Sequence, residues 1–510
     1  MNKKLNTGGW RARVPLWLSF LAMTAAVTAM AMSRNMDIDS YYMIPLGRSI
    51  FESGIPHEYT VSYYPDGQLV AQQWLYALVT YLASTVPGEV GLMLLHAVPM
   101  LMLFVLAYRY LSGSYGDPFW LVLSTALCVL CLGDIGYQAT IRPENVTLIL
   151  LLGTAIAMDR YQDTKSRIWL LAPPALLLLE MNLHMTMWPF HFCVMAAYLV
   201  PLPEKLAEKT PFRPLAPRPM PDRNQKLSLA SMVPVLFLQP YGMDGILYLF
   251  RSMNVFRYVT IAEQQPLPLM AKQSIMVVMI AGAIAIMLKN RLLRTEEFCL
   301  AAGFTLAGTL NAHAGMFLPL ALLAIARPML RVLAGKKPAR AADLMPKSVK
   351  IFGAVSMCTV IMCAAAVCTA HVPEFRSYHG LDPAIEYMKE HDQGGNILTE
   401  TDFGSIIYYH GFEGRVIGDS RPELMDIQVN QAADNIKYVT WFENGICTDV
   451  EYGPDIQGYL DDYDIQYIFL PERRRVYTYL WGWLECSDLW QKAEHDASDI
   501  VAVWERKQKQ

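Results

Sequence analysis

Long apolar runs separated by short polar segments fill the first 370 residues of the chain. A bilayer core of ~30 Å requires roughly 20 apolar residues per helix. About eleven runs approach that length, and they begin near residues 14, 89, 119, 145, 168, 185, 227, 273, 296, 314 and 350. The pattern predicts a polytopic α-helical membrane protein with about eleven transmembrane helices.

Two apolar stretches need a separate interpretation. Trp74–Ser84 has only about a dozen residues, which favours an interfacial or re-entrant helix over a full span. The run that ends at Met32 follows Lys3, Lys4, Arg11 and Arg13, as in a signal peptide. It is about 18 residues long, whereas a signal peptide's apolar region has ~7–15, so an uncleaved anchor is favoured.

The last 140 residues lose these runs and gain charge. Four segments have the composition of strands (396–400, 415–419, 465–471 and 499–505), and three have that of helices (383–391, 425–435 and 453–462). We therefore predict two domains. Residues 1–371 form a transmembrane domain that includes a first outer loop at 33–73, and residues 372–510 form a soluble α/β domain.

Composition and charge agree with a membrane body and a soluble tail. The chain is 54% hydrophobic and 17% charged, against about 25% charged residues in soluble proteins. These values exclude a disordered chain, a coiled coil and an ordinary cytosolic enzyme. The tail, 371–510, carries 12 Lys and Arg against 26 Asp and Glu.

The distribution of basic residues predicts the orientation. With the N-terminus in the cytoplasm, the cytoplasmic segments carry 24 Lys and Arg and the outer loops carry 6. Because basic residues concentrate on the cytoplasmic side, we predict a cytoplasmic N-terminus and, after eleven crossings, an extracytoplasmic C-terminal domain.

Ionisable residues collect at the predicted outer ends of the spans. They come from five separate loops: Asp37 and Asp39, then Arg142 and Glu144, then His184, then Glu263, and finally His313. Charged groups at membrane depth are costly and usually mark a site or a pathway. The joint pattern predicts a polar extracytoplasmic cavity, although each residue alone is more typical of a solvated loop or a helix end than of a site.

The first outer loop contains an acidic pair and an amphipathic segment. Ser40–Ser53 has helical spacing and ends at Gly54, a residue typical of a helix stop. Asp37 and Asp39 are two residues apart, so they share a face if the backbone is extended but not if it is helical.

Cysteines offer no clear chemistry. Cys128 and Cys131 have CxxC spacing but lie in an apolar run without a flanking ligand, which favours buried packing. Cys447 and Cys486 are the two in the tail. They could pair outside the cytoplasm, but their spacing does not decide this.

These features resemble the C-type (GT-C) glycosyltransferases, which use lipid-phosphate-linked sugars. The resemblance rests on one span followed by an acidic pair, an outer-loop helix and QQWLYALVTYLAS at 72–84. The chain also resembles an uncharacterised bacterial GT-C-like branch in the pieces IRPEN (141–145), NLH (182–184), QPYG (239–242), EQQP (263–266) and RVIGDSRPEL (415–424). It departs from that branch at Gln264, where Trp is common, and at His313, where Arg is expected.

The resemblance implies a glycosyltransferase in the plasma (inner) membrane. It would transfer a sugar, with inversion, from a polyprenyl-phosphate donor to an extracytoplasmic glycan, lipid or protein. Asp37 would be the base and Asp39 a second base or metal ligand, while Arg142 would bind the leaving phosphate. Glu144, His184, Glu263 and His313 would bind substrate. No cofactor is certain; a divalent metal held by Asp39 and His184 is an option.

Two alternatives stay open at this point. One is a transporter or flippase for a lipid or a lipid-linked sugar, and the other is a non-catalytic GT-C-like scaffold for envelope polymer assembly. Transporters tend to have internal repeats and broken helices at mid-membrane, whereas the polar residues here lie at span ends, which favours the enzyme. Nucleic-acid binding has no support, since no nucleotide motif is present and the tail is acidic.

Overall fold

The computed structural model describes most of the predicted spans and most of the tail. The described residues are 38–58, 63, 69–86, 88–112, 141–201, 215, 220–255, 272–290, 292–311, 313–335, 381–392, 394–418, 455–472, 479–495 and 500–507. The predicted spans near 14, 119 and 350 lie outside them, as does the predicted helix at 425–435.

Eleven helices lie among the described residues up to 335. They are α1 (Ile38–Ser53), α2 (Trp74–Thr85), α3 (Glu89–Ser112), α4 (Glu144–Thr164), α5 (Ala172–Leu183), α6 (Trp188–Leu199), α7 (Arg223–Val235), α8 (Gly242–Val255), α9 (Lys272–Lys289), α10 (Thr295–Ala307) and α11 (Leu318–Gly335). Short 3-10 turns at Arg167–Leu171, Met185–Met187 and His313–Phe317 lead into α5, α6 and α11.

The predicted spans correspond to helical segments of unequal length. Within the described ranges, a helix or 3-10 turn begins within about four residues of every predicted start. Two segments there are long and apolar enough to cross a membrane, Val90–Leu111 and His313–Arg331, and Gln273–Lys289 is a shorter apolar helix. Helices α5, α6, α7 and α10 have only 12 or 13 residues, so the count of about eleven spans stays a prediction.

The described residues form two compact units. The helical unit comprises residues 88–246 and 272–335, and the sheet unit comprises residues 38–86, 247–255 and 381–507. The first outer loop thus groups with the C-terminal residues, which the hydrophobic pattern did not indicate.

The centre of the helical unit is α4, which is buried along most of its length. It packs against α3, α5 and α6. Leu148 and Met158 have no exposed surface, as expected for a helix that is apolar all round and enclosed by other helices.

The sheet unit is built on a five-stranded sheet with the order β2-β1-β3-β5-β4. Its later elements are α12 (Asp382–Glu390), β1 (Asn396–Thr399), α13 (Thr401–Tyr409), β2 (Val416–Ile417), α14 (Ile456–Asp462), β3 (Ile465–Pro471), α15 (Tyr479–Cys486), β4 (Trp490–Lys492) and β5 (Val501–Arg506). Strand β1 pairs in parallel with β2 on one side and β3 on the other, and β5 pairs antiparallel with β3 and β4.

The sheet core follows from the apolar strands. Ile397 lies opposite Val416, and Ile468 lies opposite Trp504. Strand β3 is buried at every position except Gln466, which is typical of a strand covered on both faces. The four strands predicted from sequence are confirmed, whereas α13, α15 and β4 were not predicted.

Helix α1 is part of the sheet unit. The predicted helix over 40–53 is confirmed and ends before Gly54, whose φ is +87°. A side chain at Gly47 would collide with the Ala77 carbonyl oxygen, so glycine permits the close packing of α1 on α2.

Aromatic contacts join α1 to α13. The rings of Tyr41 and Tyr409 are 5.2 Å apart, and those of Tyr42 and Tyr408 are 6.0 Å apart, both edge to face. Arg48 of α1 forms an ion pair with Glu413. The outer-loop helix is therefore held by residues more than 300 positions later in the chain.

A bidentate ion pair in the sheet unit predicts a pH dependence of stability. Arg415 donates to both carboxylate oxygens of Asp392, at 2.8 and 2.9 Å, and this lowers the pKa of Asp392. Because both side chains are partly exposed, we expect Asp392→Asn to lower the free energy of unfolding by only about 0.2–1 kcal/mol near neutral pH.

The sign of the Asp392 effect follows from the lowered pKa. The stabilisation is fully present above the unfolded-state pKa of about 3.9 and is lost as the pH falls through the lower folded-state value. Thermal unfolding of the wild type and Asp392→Asn should therefore differ at neutral pH and converge in acid, once the pH has fallen through the lowered pKa of Asp392. The exposed Asp488→Asn is the control; a difference that persists in acid would contradict the assignment.

Candidate functional site

A cluster of ionisable side chains lies around the first residue of α4. Arg142, Glu144 and His184 are 5%, 4% and 3% exposed. The Oε1 atom of Glu144 is 3.3 Å from Nε2 of His313, and Arg142, His184 and His313 are its electrostatic neighbours. Four of the seven site residues predicted from the sequence are thus brought together in the helical unit.

Helix ends position these four residues. Pro143 precedes the first residue of α4 and places Glu144 in the first turn, where the helix dipole favours a negative charge. His184 ends α5 and its backbone N–H donates to the carbonyl oxygen of Glu180 at 2.8 Å. His313 opens the 3-10 turn that leads into α11.

A second row of polar side chains continues from His184 into the helical unit. Thr147 Oγ1 lies 2.6 Å from Glu180 Oε1 and 3.0 Å from His184 Nδ1. On the other side of the same carboxylate, Oε2 is 3.3 Å from Nε2 of His191. His191 Nδ1 is in turn 3.3 Å from Thr154 Oγ1. Glu180 and His191 are completely buried.

The threonines and histidines of the second row are regularly spaced in the sequence. Thr147 and Thr154 are seven residues apart on α4, and His184 and His191 are also seven apart. Seven residues are about two helical turns, so Thr147 and Thr154 lie on one face of α4, where each contacts one of the two histidines. Thr147, Glu180 and His191 were not predicted as site residues.

The other predicted residues have different outcomes. Asp37 and Glu263 lie outside the described residues. Asp39 lies in the first turn of α1, in the sheet unit, so its backbone is helical and the extended arrangement considered for the acidic pair does not hold at this residue. Cys486 is an exposed free thiol, and Cys447, with which it could pair, lies outside the described part.

The cluster around Glu144 has the groups that phosphate and hydroxyl chemistry uses. The guanidinium of Arg142 presents a planar fork of donors suited to phosphate oxygens, and two imidazoles can donate or accept hydrogen bonds. No group of three or more His, Cys, Asp or Glu residues able to hold a metal occurs among the described residues. The divalent ion at Asp39 and His184 therefore stays a prediction.

Comparison with solved structures identifies glycosyltransferases as similar in fold. The arabinofuranosyltransferase AftD from Mycobacteria aligns with 96% of this chain at 12% identity and a TM-score of 0.51. An oligosaccharyltransferase from Archaeoglobus fulgidus, in a complex with zinc and sulfate, aligns with 89% at 12% identity and a TM-score of 0.52. No protein-family model matches the chain, and no curated protein sequence matches it.

By their names, both similar structures are of enzymes that transfer sugars. The chain spans 41% of the AftD chain and 68% of the archaeal enzyme. The likeness is one of fold, a helical body with a small sheet in the C-terminal part. Two described helical segments are long and apolar enough to cross a membrane.

Proposed function

We propose that this protein is a membrane glycosyltransferase of the GT-C type. It transfers a sugar, with inversion, from a polyprenyl-phosphate donor to an extracytoplasmic glycan, lipid or protein acceptor. The observation that carries the proposal is the buried cluster of Arg142, Glu144, His184 and His313 in a bundle whose fold is similar to that of two glycosyltransferases.

The cluster supports the leaving-group half of this reaction. When the anomeric carbon is attacked, the bond to the prenyl phosphate breaks and negative charge grows on the phosphate. Arg142 and the two histidines supply donors for that charge, and burial strengthens each such interaction. Glu144 contacts His313 and so helps to hold the cluster in place.

The acceptor half of the reaction is assigned to the first outer loop. Asp37 takes the acceptor proton and Asp39 is its second carboxylate, as the family resemblance implies. Glu263 completes the substrate contacts. The N-terminus is cytoplasmic and the C-terminal domain extracytoplasmic in the plasma membrane, so that the donor is a lipid of the outer leaflet.

The test is donor turnover by the purified chain in lipid nanodiscs. Undecaprenyl-phosphate-linked sugars are the probes, and the readout is binding and release of undecaprenyl phosphate by mass spectrometry. We expect Arg142→Gln to weaken binding of undecaprenyl phosphate by about 10- to 100-fold, because a hydrogen bond to a charged group contributes about 1.5–3 kcal/mol.

Arg167→Gln is the matched control, since Arg167 is exposed at the start of a 3-10 turn in the same unit. Each variant is first checked for a monodisperse, helical preparation. Equal binding by wild type, Arg142→Gln and Arg167→Gln would overturn the assignment of the phosphate site.

A further inference from the structure

The hydrogen bonds around Thr147 restrict where the proton of His184 resides. Thr147 has a single hydroxyl hydrogen and two neighbours, Glu180 Oε1 at 2.6 Å and His184 Nδ1 at 3.0 Å. A carboxylate can only accept hydrogen bonds, so the hydroxyl hydrogen is donated to Glu180. Thr147 then has only a lone pair for His184, and Nδ1 of His184 must carry a hydrogen.

The other carboxylate oxygen of Glu180 makes the same arrangement with a second imidazole. Oε2 is 3.3 Å from His191 Nε2, so His191 donates from Nε2. Glu180 thus accepts from Thr147 and from His191, with no exposed surface on its side chain. These two donors each satisfy one oxygen of the buried carboxylate.

We propose that Glu180 is a positioning residue for His184. Through Thr147 it keeps a hydrogen on Nδ1 of His184 and fixes the orientation of this imidazole beside Glu144, where the lipid-linked sugar would bind. This inference rests on the proposed function for the identity of the ligand, but the hydrogen on Nδ1 follows from the contacts of Glu180, Thr147 and His184 alone.

The location of His184 supports this role. Its ring contacts the Thr147 hydroxyl through Nδ1, and Glu144, beside Arg142 and His313, is its electrostatic neighbour. A hydrogen-bond partner on Nδ1 holds the imidazole in one orientation. Such a ring contacts a ligand more specifically than a ring that can rotate. His184 therefore links the buried row to the cluster around Glu144.

The tautomer can be measured without a substrate. Full-length protein with ¹⁵N-labelled histidine is reconstituted in lipid bilayers, and solid-state NMR identifies which ring nitrogen bears hydrogen; His184→Gln assigns the signal. We expect hydrogen on Nδ1 in the wild type and in Thr147→Ser, which keeps the hydroxyl. In Thr147→Val, which has a similar shape but no hydroxyl, Nδ1 loses its acceptor and its ¹⁵N signal should shift.

An Nδ1 without hydrogen in the wild type would overturn the inference, since it would mean that a proton on Glu180 reverses the direction of both bonds. An unchanged His184 signal in Thr147→Val would also overturn it. Binding of undecaprenyl phosphate, measured on the same preparation, separates the two proposals: loss of the expected binding with the Nδ1 signal intact would remove the proposed ligand and leave the positioning role.

Discussion

Glu180→Ala is expected to destabilise the helical unit by about 2–6 kcal/mol, because it leaves two buried hydrogen-bond donors without their acceptor, at about 1–3 kcal/mol each. The substitution leaves His191 without the carboxylate 3.3 Å from its Nε2 and leaves the Thr147 hydroxyl without its acceptor. Both groups are completely buried, so bulk water does not replace the lost partner. A cavity of several atoms adds to the loss.

Hydrogen exchange of peptides from α4 and α5 measures this effect, since it reports the opening free energy of each segment separately. Glu180→Gln keeps an acceptor for Thr147 and removes the charge, and we expect it to lose about 1–3 kcal/mol. The control is Asp163→Ala at the exposed end of α4, which should change little. Equal protection in Glu180→Ala and Asp163→Ala would contradict the buried network.

Apolar periodicity was sufficient to predict where most helices begin. The runs near 89, 145 and 273 begin within one residue of α3, α4 and α9, because a membrane helix must be apolar over its whole length. The lengths could not be predicted as well. The runs near 168 and 185 correspond to α5 and α6, which have only 12 residues each, with Pro173 and Pro189 in their first turns.

The sheet unit contains a helix that the local sequence pattern could not predict. The strands over 396–399 and 465–471 were predicted from β-branched and aromatic residues. The same composition in Thr401–Tyr409 forms helix α13, because its tyrosines pack against α1 rather than pair with a strand. No feature within nine residues contains that information, which comes from a distant segment.

The candidate site was partly predictable for a related reason. Arg142, Glu144, His184 and His313 are costly in a membrane, so their positions at span ends were informative. Threonine carries no such cost, since its hydroxyl can bond to its own helix, as Thr154 does with the Leu150 carbonyl at 3.0 Å. Thr147 therefore gave no signal until its partners on α5 were known.

A second buried pair near the other end of α4 gives the other large expected effect. Asp159 lies about 22 Å along the helix from Glu144, and its Oδ2 is 2.7 Å from Nη1 of Arg327 on α11. Tyr198 of α6 donates to Asp159 at 3.0 Å, and the Arg327 guanidinium lies 4.4 Å from the ring centroid of Tyr110 of α3. One ion pair thus connects four helices of the bundle.

Arg327→Met is expected to cost about 3–5 kcal/mol, because it leaves Asp159 as an uncompensated buried charge. The double variant Asp159→Leu/Arg327→Met removes both charges and should recover most of that loss, as buried pairs replaced by apolar residues commonly do. Arg327→Lys keeps the charge but lacks the planar group over Tyr110, so its stability should be intermediate. The readout is hydrogen exchange of α4 and α11 peptides, with the exposed Arg167→Met as control.

The double-mutant cycle decides between a specific pair and two independent packing effects. The cycle compares Asp159→Leu, Arg327→Met and the double variant. If the losses of unfolding free energy in the two single variants add in the double variant, the coupling energy is zero and the ion pair does not connect the helices. A coupling of several kcal/mol, with Arg167→Met unchanged, means that the charges are retained at a cost in stability relative to an apolar core. The pair would then serve to fix which faces of α3, α4, α6 and α11 meet, and through α4 the position of Glu144 at the candidate site.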